Sequence, residues 1–313
     1  MFPFVYNNSD RLLFVMTNER ILIYQDSKVI QNLDAAGLKE EYFEDIKTAY
    51  KDDTIILTHP DLRTKIIKRI EGLWYYSDLD WQNVPYDLFG RESRTNYTIP
   101  IKPSVAEGAV TLTADSDVFD SSFVGQYIEG NGGRVRISNY ESKTKVSGYT
   151  VVPFYTDDKI SSWTKVGGYE PVWSEIRGYP RTCVFAQQRL WFGGSREKPS
   201  TLWSSRLGDY FNFKNAANFD NDAINVDLLT NNAIVNLVYS RGLHIFTTGE
   251  EMTASESSMT PDGITVTINT KMGSYKSLPP VVIDGNTVFV EKNGKSILRY
   301  VYNYSEASFR SDN

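Results

Sequence analysis

Residues 177–209, RGYPRTCVFAQQRLWFGGSREKPSTLWSSRLGD, constrain the fold more than any other part of the chain. The runs TCVFA and RLWFGG are separated only by Gln187 and Gln188, and a third run, TLWSSR, follows a turn that contains proline. Runs of β-branched and aromatic residues that stop at short polar turns are typical of antiparallel strands. The stretch therefore predicts one β-sheet unit whose strands follow each other in chain order.

The same pattern occurs in four other places: RLLFVMT to DSKVI, DTIILTHP to RTKIIKRI, AIVNLVY to TTGEEMTASE, and PVVIDG to ILRYVY. Leu190, Leu243 and Val288 occupy equivalent positions, at spacings near the roughly 40 to 50 residues of a four-stranded propeller blade. The sequence thus predicts an all-β protein with five β-propeller-like blades. The alternative is a β-sandwich with hairpins of similar size, although a sandwich does not require a constant period.

Within RLWFGG, alternation places Leu190 and Trp191 on opposite faces of a central strand. We expect one of the two side chains to be buried and the other to tolerate truncation.

The regular pattern is interrupted in the middle of the chain. Residues 95–154 read as five or six short strands with Gly-Asn-Gly-Gly at one turn. We predict a small inserted β-barrel module at 95–154, between propeller blades at 1–94 and 155–313.

Composition supports a β-rich protein made in a reducing compartment. Hydrophobic residues make up 41% of the chain, and 20 of its residues are tyrosine. No window approaches 18 apolar residues, and Met1 is not followed by a charged region and an apolar stretch, so we predict neither a membrane-spanning helix nor a cleaved secretory signal. Cys183 is the single cysteine, which excludes a disulfide within the chain. Its position on an apolar strand predicts an inert thiol in the core.

Several segments in a fixed order carry a resemblance to a known family. They are the arginine–leucine strand followed by SSRLGDYFNF, the acidic loop FDNDAINV, the strand pair that ends in TTGEE, and SLPPVVIDGNTVFVEKNGKSILRY. In this order they resemble the tail nozzle family of short-tailed bacteriophages, also called tail tubular protein B. The matching positions are Ser205, Arg206, Tyr210, Phe211, Asn212 and Phe213, then Asp220, Asp222, Ile224 and Val226. Family members are longer at both ends, so this chain is either a shortened relative or part of a larger polypeptide.

The resemblance implies a structural protein of the virion, assembled in the bacterial host cytoplasm, and not an enzyme. Its expected form is a homo-hexameric ring that extends the portal and adaptor channel and anchors tail fibres or spikes. The expected partners are further copies of the chain, the tail adaptor (head–tail connector) protein and the fibre. Double-stranded DNA is expected to pass through the lumen without tight binding.

Candidate ligands for a metal are scattered in the sequence. His59 and His244 each lie in an apolar strand or at its end, without a second ligand at metal-binding spacing. Three carboxylates form an acidic loop: Asp220, Asp222 and Asp227. Ile224 stands where a calcium-binding loop would place an oxygen ligand. We predict no metal site.

Candidate catalytic carboxylates are adjacent in sequence, as Asp52 with Asp53 and Glu250 with Glu251. Neighbours on a strand face opposite sides of the sheet, so neither pair can flank one glycosidic bond. The glycine-rich turn EGNGGR at 129–134 precedes a strand and predicts a hairpin, not a phosphate loop. We predict no catalytic residue, no cofactor-binding residue and no cofactor.

Charge argues against tight binding of nucleic acid. The chain has 33 basic and 39 acidic residues, a net charge of -6, and its basic residues are scattered except for RTKIIKR at 63–69. A neutral or acidic lining would let a duplex slide, since each phosphate contact adds salt-dependent affinity. The alternative function is a receptor-binding or glycan-processing propeller, which should act as a monomer or trimer with exposed aromatic residues in one concave pocket.

Overall fold

The fold is all-β, as predicted. The computed structural model describes residues 1–5, 11–214, 219–255, 259–303, 305 and 308–312. Apart from strands, these residues form two short 3-10 helices, Glu40–Tyr42 and Ser121–Phe123. The chain divides into two compact units. Unit 1 comprises Met1–Asn83, Trp173–Phe213 and Ile224–Asn313, and unit 2 comprises Val84–Val172 and Lys214–Ala223.

Unit 1 contains five four-stranded antiparallel sheets, here called blades 1 to 5, and the strands of each blade pair in chain order. Blade 1 consists of β1 (Phe2–Val5), β2 (Arg11–Thr17), β3 (Arg20–Gln25) and β4 (Lys28–Asp34). Blade 2 consists of β5 (Lys47–Lys51), β6 (Thr54–His59), β7 (Leu62–Ile70) and β8 (Leu73–Asp78).

Unit 2 interrupts the blades and contains a seven-stranded antiparallel sheet. Its strands are β9 (Tyr86–Tyr97), β10 (Ile101–Pro103), β11 (Ala109–Ala114), β12 (Tyr127–Gly130), β13 (Gly133–Ser142), β14 (Lys145–Val152) and β15 (Trp163–Pro171). The strand order is β10-β11-β14-β13-β12-β15-β9.

Blades 3 to 5 follow in the chain. Blade 3 consists of β16 (Thr182–Ala186), β17 (Arg189–Gly193), β18 (Thr201–Ser204) and β19 (Ile224–Asp227). Blade 4 consists of β20 (Ile234–Ser240), β21 (Gly242–Thr247), β22 (Glu251–Ala254) and β23 (Val266–Thr270). Blade 5 consists of β24 (Val281–Ile283), β25 (Asn286–Val290), β26 (Ile297–Asn303) and β27 (Ser308–Asp312). The five repeats predicted from the sequence correspond to these five blades.

The turn between β16 and β17 has the tight form that its two residues predict. Ala186 pairs with Arg189, so only Gln187 and Gln188 form the loop. Their φ angles are 49° and 55°, the left-handed values that a two-residue type I′ hairpin requires.

The burial of β17 differs from the prediction. Leu190 and Trp191 are both 0% exposed, and all five residues of the strand are buried. The expectation that only one of the two side chains would be buried was wrong, because β17 lies in a blade that has neighbouring blades on both sides. β16 packs against β5 of blade 2 and β20 of blade 4, and β17 also packs against β20.

Unit 2 extends beyond the segment 95–154 that the sequence marked as an insertion. β9 and β15 pair along most of their length, from Tyr86 with Pro171 to Tyr97 with Trp163, and complete one edge of the sheet. Among the described strands the pairing order is open, and no pairing of β10 with β9 closes the predicted barrel. β10 instead forms an isolated antiparallel bridge between Ile101 and Ile160.

Candidate functional site

The arginine–leucine strand and the serines of the nozzle-like motif form a buried group of hydrogen bonds in blade 3. Arg189 is 1% exposed, and its Nη1 donates to the Ser205 carbonyl at 2.7 Å and lies 3.5 Å from Ser204 Oγ. The Ser205 hydroxyl accepts a hydrogen bond from the Leu190 amide at 2.9 Å. These bonds fix the end of β18 against β17, so the motif has a structural role in the blade.

The YFNF part of the motif is tied to the segment that follows blade 2. Asn83 Nδ2 donates to Asn212 Oδ1 at 3.1 Å, and Asn212 Nδ2 donates to Asp209 Oδ2 at 2.9 Å. Phe213 is buried, and its amide donates to the Asn83 carbonyl. Its ring lies 4.9 Å from the Trp173 ring, within a cluster that also includes Trp81 and Phe192. Tyr210 packs edge-on against Phe185.

The acidic loop does not form one cluster of oxygen ligands. Asp222 is 2% exposed and its Oδ2 accepts a hydrogen bond from the Phe219 amide, whereas Asp220 is exposed. Asp227 lies at the end of β19 and accepts a hydrogen bond from the Thr201 hydroxyl. Ile224 belongs to the core. Over the described parts of the chain, no three His, Cys, Asp or Glu side chains are grouped so that they could hold a metal ion.

Both histidines are buried in structural positions. His59 Nδ1 accepts a hydrogen bond from the Asp61 amide at 3.1 Å, and burial lowers the pKa of its imidazole. His244 Nδ1 lies 2.9 Å from Thr287 Oγ1, and its ring packs against Tyr300. Burial lowers the pKa of His244 to about 4, so the ring is neutral near pH 7.

The adjacent carboxylates Glu250 and Glu251 have different partners. Thr230 Oγ1 donates to Glu250 Oε2, and Thr270 Oγ1 donates to Glu251 Oε2, each at 2.5 Å. Glu251 is 0% exposed, and its burial raises the pKa of the carboxyl group. The other pair, at Asp52 and Asp53, lies in the tight turn between β5 and β6.

The remaining sequence candidates occupy hairpins and the core. Residues 129–134 form the β12–β13 hairpin, with Gly130 paired to Gly133. Cys183 is 4% exposed, lies 3.7 Å from the Thr58 hydroxyl, and has its thiol pKa raised to about 12 by burial.

Sequence reasoning missed a group of charged side chains that unit 1 brings together from three distant segments. We call it the cationic junction and define it by Asp45, Lys47, Arg181, Lys276 and Ser277. Lys47 opens β5, and Arg181 immediately precedes β16, while Lys276 and Ser277 lie between β23 and β24. The Thr58 hydroxyl, on β6, donates to the Arg181 carbonyl at 3.1 Å and so joins blade 2 to blade 3 at this point.

Asp45 is the carboxylate of the cationic junction, and its partners are Lys276 and Ser277. Lys276 Nζ donates to Asp45 Oδ2 at 2.7 Å, and the Ser277 hydroxyl donates to Asp45 Oδ1 at 3.0 Å. Burial raises the pKa of Asp45, but the hydrogen bonds from Lys276 and Ser277 outweigh it and leave the pKa below its usual value. Asp45 is therefore ionised and forms an ion pair with Lys276.

Within the described residues, no carboxylate lies in direct contact with Lys47. It is 4% exposed, and its Nζ donates to the Lys276 carbonyl. Burial lowers the pKa of Lys47 to about 8; Asp45 opposes this shift, while the charges of Arg181 and Lys276 add to it. The Arg181 Nε is buried without a hydrogen-bond partner within the described residues. One local signal was present: alternation along KTAYK puts Lys47 on the same buried face as Ala49.

Comparisons with known proteins give no family for this chain. No family model matches it, and no curated protein matches it. Among solved structures, the phage phi92 endosialidase is similar over 85% of this chain and 51% of its own length, with 12% identity and a TM-score of 0.27. KlHsv2 with loop 6CD replaced by a Gly-Ser linker is similar over 96% of this chain and 93% of its own, with 11% identity and a TM-score of 0.26. The chain spans about half the length of the endosialidase, and scores this low support no inference about function.

No helix in the described ranges has the length and apolar character needed to cross a bilayer.

Proposed function

We propose that the protein is a structural component of a short phage tail. One copy contributes to a homo-hexameric ring that extends the channel formed by the portal and the tail adaptor protein. The ring anchors tail fibres or spikes and conducts double-stranded DNA during genome ejection. The protein is assembled in the bacterial cytoplasm and ends in the virion.

The observation that supports this proposal is that the residues of the nozzle-like motif are engaged in hydrogen bonds and core packing. Arg189, Ser205 and Asn212 are polar residue types that could serve catalysis, but each is engaged in hydrogen bonds that hold blade 3 together or tie it to Asn83. Phe213 is likewise part of an aromatic cluster in the core. Because these motif residues stabilise the fold, the motif favours a structural protein over an enzyme.

The proposal is tested by assembly of the full chain. We expect negative-stain images of the purified protein mixed with its tail adaptor to show rings with six-fold symmetry. The protein alone should sediment as a monomer, because head-to-tail contacts that must close benefit from a template. Rings of another symmetry would overturn the hexamer. A monomer or trimer that binds a glycan saturably would favour the receptor-binding or glycan-processing alternative.

A second test concerns unit 2, which we propose lies away from the DNA path and contacts a fibre or a neighbouring copy. A duplex about 20 Å wide would be obstructed by a domain of this size projecting inward from every copy. Residues 86–171 can be replaced by a short Gly-Ser linker, since Pro85 and Val172 are joined by a hydrogen bond of 2.8 Å between the Val172 amide and the Pro85 carbonyl. The shortened chain should still form rings with the adaptor but lose fibre attachment. A variant that unfolds cooperatively yet forms no ring would contradict this placement.

A further inference from the structure

We propose that the cationic junction of unit 1 binds an oxyanion, the phosphate or carboxylate group of a small ligand, between Lys47 and Arg181. The inference does not depend on ring formation, since the residues belong to one unit of a single chain.

The first argument is the balance of charge. The charge of Asp45 acts on three cationic side chains, Lys47, Arg181 and Lys276, and the charge of Asp61 also acts on Arg181. The nearby ion pair of Asp61 with Arg196 adds no net charge, and the neighbouring His59 is neutral at pH 7 because burial lowers its pKa. The junction therefore carries an excess of two positive charges; Lys47 is buried and Arg181 is half-buried, whereas the Lys276 side chain is 59% exposed. Buried charges in proteins are normally paired, because an unpaired one loses its hydration without compensation.

The second argument is a comparison with another buried lysine of blade 2. Lys65, on β7, is 8% exposed, and its Nζ donates to Asp78 Oδ1 at 2.5 Å. Lys47, on β5, is buried to a similar extent, but its bond goes to a backbone carbonyl. The blade thus supplies a carboxylate for one buried lysine and not for the other. An external anion at Lys47 would take the role that Asp78 has at Lys65.

The third argument is the number of unused donors. A lysine ammonium has three N–H donors and an arginine guanidinium has five. Lys47 uses one for the Lys276 carbonyl, and the buried Nε of Arg181 has no hydrogen-bond partner within the described residues. The planar guanidinium matches two oxygens of a phosphate or carboxylate group, and the lysine adds a point charge. An oxyanion would satisfy both donors and the excess charge together.

The ligand class can be tested with inorganic phosphate and with acetate on the full chain. Thermal unfolding at pH 7 is followed at increasing concentrations of sodium phosphate or sodium acetate, against sodium chloride at equal ionic strength. We expect a saturable rise in Tm with at least one of the two anions. A rise with both indicates that any oxyanion fits, and a rise with one alone identifies the phosphate or the carboxylate class.

Variants separate site binding from the general stabilisation that phosphate gives by exclusion from protein surfaces. Lys47→Met should weaken the apparent anion affinity by about 10- to 100-fold, the range expected for losing a hydrogen bond to a charged group. Lys65→Met is the matched control: it removes a buried lysine of the same blade and should retain the wild-type anion response. Arg181→Gln provides a second test if Lys47→Met does not fold.

Two results would overturn the proposal. One is a wild-type Tm that shows no saturable response to either anion. The other is an equal response in the wild type, Lys47→Met and Arg181→Gln, which would place the effect elsewhere on the protein. Neither result bears on whether the chain forms rings with the adaptor.

Discussion

β17 in blade 3 and β2 in blade 1 begin with the same Arg-Leu dipeptide, yet their environments differ. In β17 (RLWFG) all five residues are buried. In β2 (RLLFVMT) burial alternates at the start of the strand, so that Phe14 is 0% exposed and Leu13 is 37% exposed. A strand with one covered face alternates, whereas a strand covered on both faces is buried continuously. The difference shows that position in the series of blades, and not the strand itself, sets the burial of its residues.

The shared cores explain this difference. The first blade shares one cluster with blade 2, in which Phe14 and Trp74 pack edge-to-face at 5.2 Å. Blade 3 has partners on both sides: Trp191 packs in one cluster with residues of blade 4, and Phe192 lies in the aromatic cluster with Trp173. Blade 4 therefore covers one face of the central strand, and the aromatic cluster with Trp173 covers the other.

The largest expected effect is at the two adjacent residues of β17. Trp191→Ala should reduce the free energy of unfolding by about 3 to 5 kcal/mol and Leu190→Ala by about 2 to 5 kcal/mol, because each removes a fully buried side chain and leaves a cavity. Chemical denaturation of the two variants and the wild type measures both losses. A loss below about 1 kcal/mol at either residue would mean that one face of β17 is open.

The corresponding pair in β2 should respond unequally. Phe14→Ala should cost about 3 to 5 kcal/mol, because the ring fills the core between blades 1 and 2. Leu13→Ala should cost about 1 kcal/mol or less, since much of its side chain already contacts solvent. The same denaturation experiment compares them. Similar losses at Leu13 and Phe14 would show that a further surface covers this face of blade 1.

The hairpins were predictable because their signals are local. Gln187 and Gln188 separate two β-rich runs, and the structure places them alone in the turn. The burial of both Leu190 and Trp191 was not predictable from alternation, because the residues that cover the two faces of β17 lie outside blade 3. The outer strands of unit 2 were missed for a similar reason: Tyr86 pairs with Pro171, a partner far away in the sequence.

The cationic junction could not be predicted from the sequence for the same physical reason. Lys47 and Arg181 are 134 positions apart in the sequence, Arg181 and Lys276 are 95 apart, and the three share no motif. Only the packing of blades 2 and 3 and the segment before blade 5 brings them together. The motif residues of blade 3, by contrast, were recognisable in sequence because Arg189 and Ser205 lie within one hairpin unit.

The last expected effect is a pH dependence that distinguishes the two buried lysines of blade 2. The pKa of Lys47 falls to about 8 in the folded protein, against about 10.4 for an unperturbed lysine. Between these values the unfolded chain binds more protons than the folded chain, so the free energy of unfolding rises with pH. Lys47 should contribute a rise of up to about 3 kcal/mol between pH 8 and 10.4, since one unit of pKa corresponds to about 1.4 kcal/mol.

Lys47→Met should remove that rise in the free energy of unfolding, whereas Lys65→Met should keep it. The measurement is the difference between the pH profiles of variant and wild type in a chloride solution without phosphate or carboxylate. The difference is needed because burial also raises the pKa of Tyr76 and Tyr300, which makes them oppose the rise at high pH. Identical profiles for Lys47→Met and the wild type would mean that Lys47 is already paired in solution. Both buried lysines of blade 2 would then have an anionic partner.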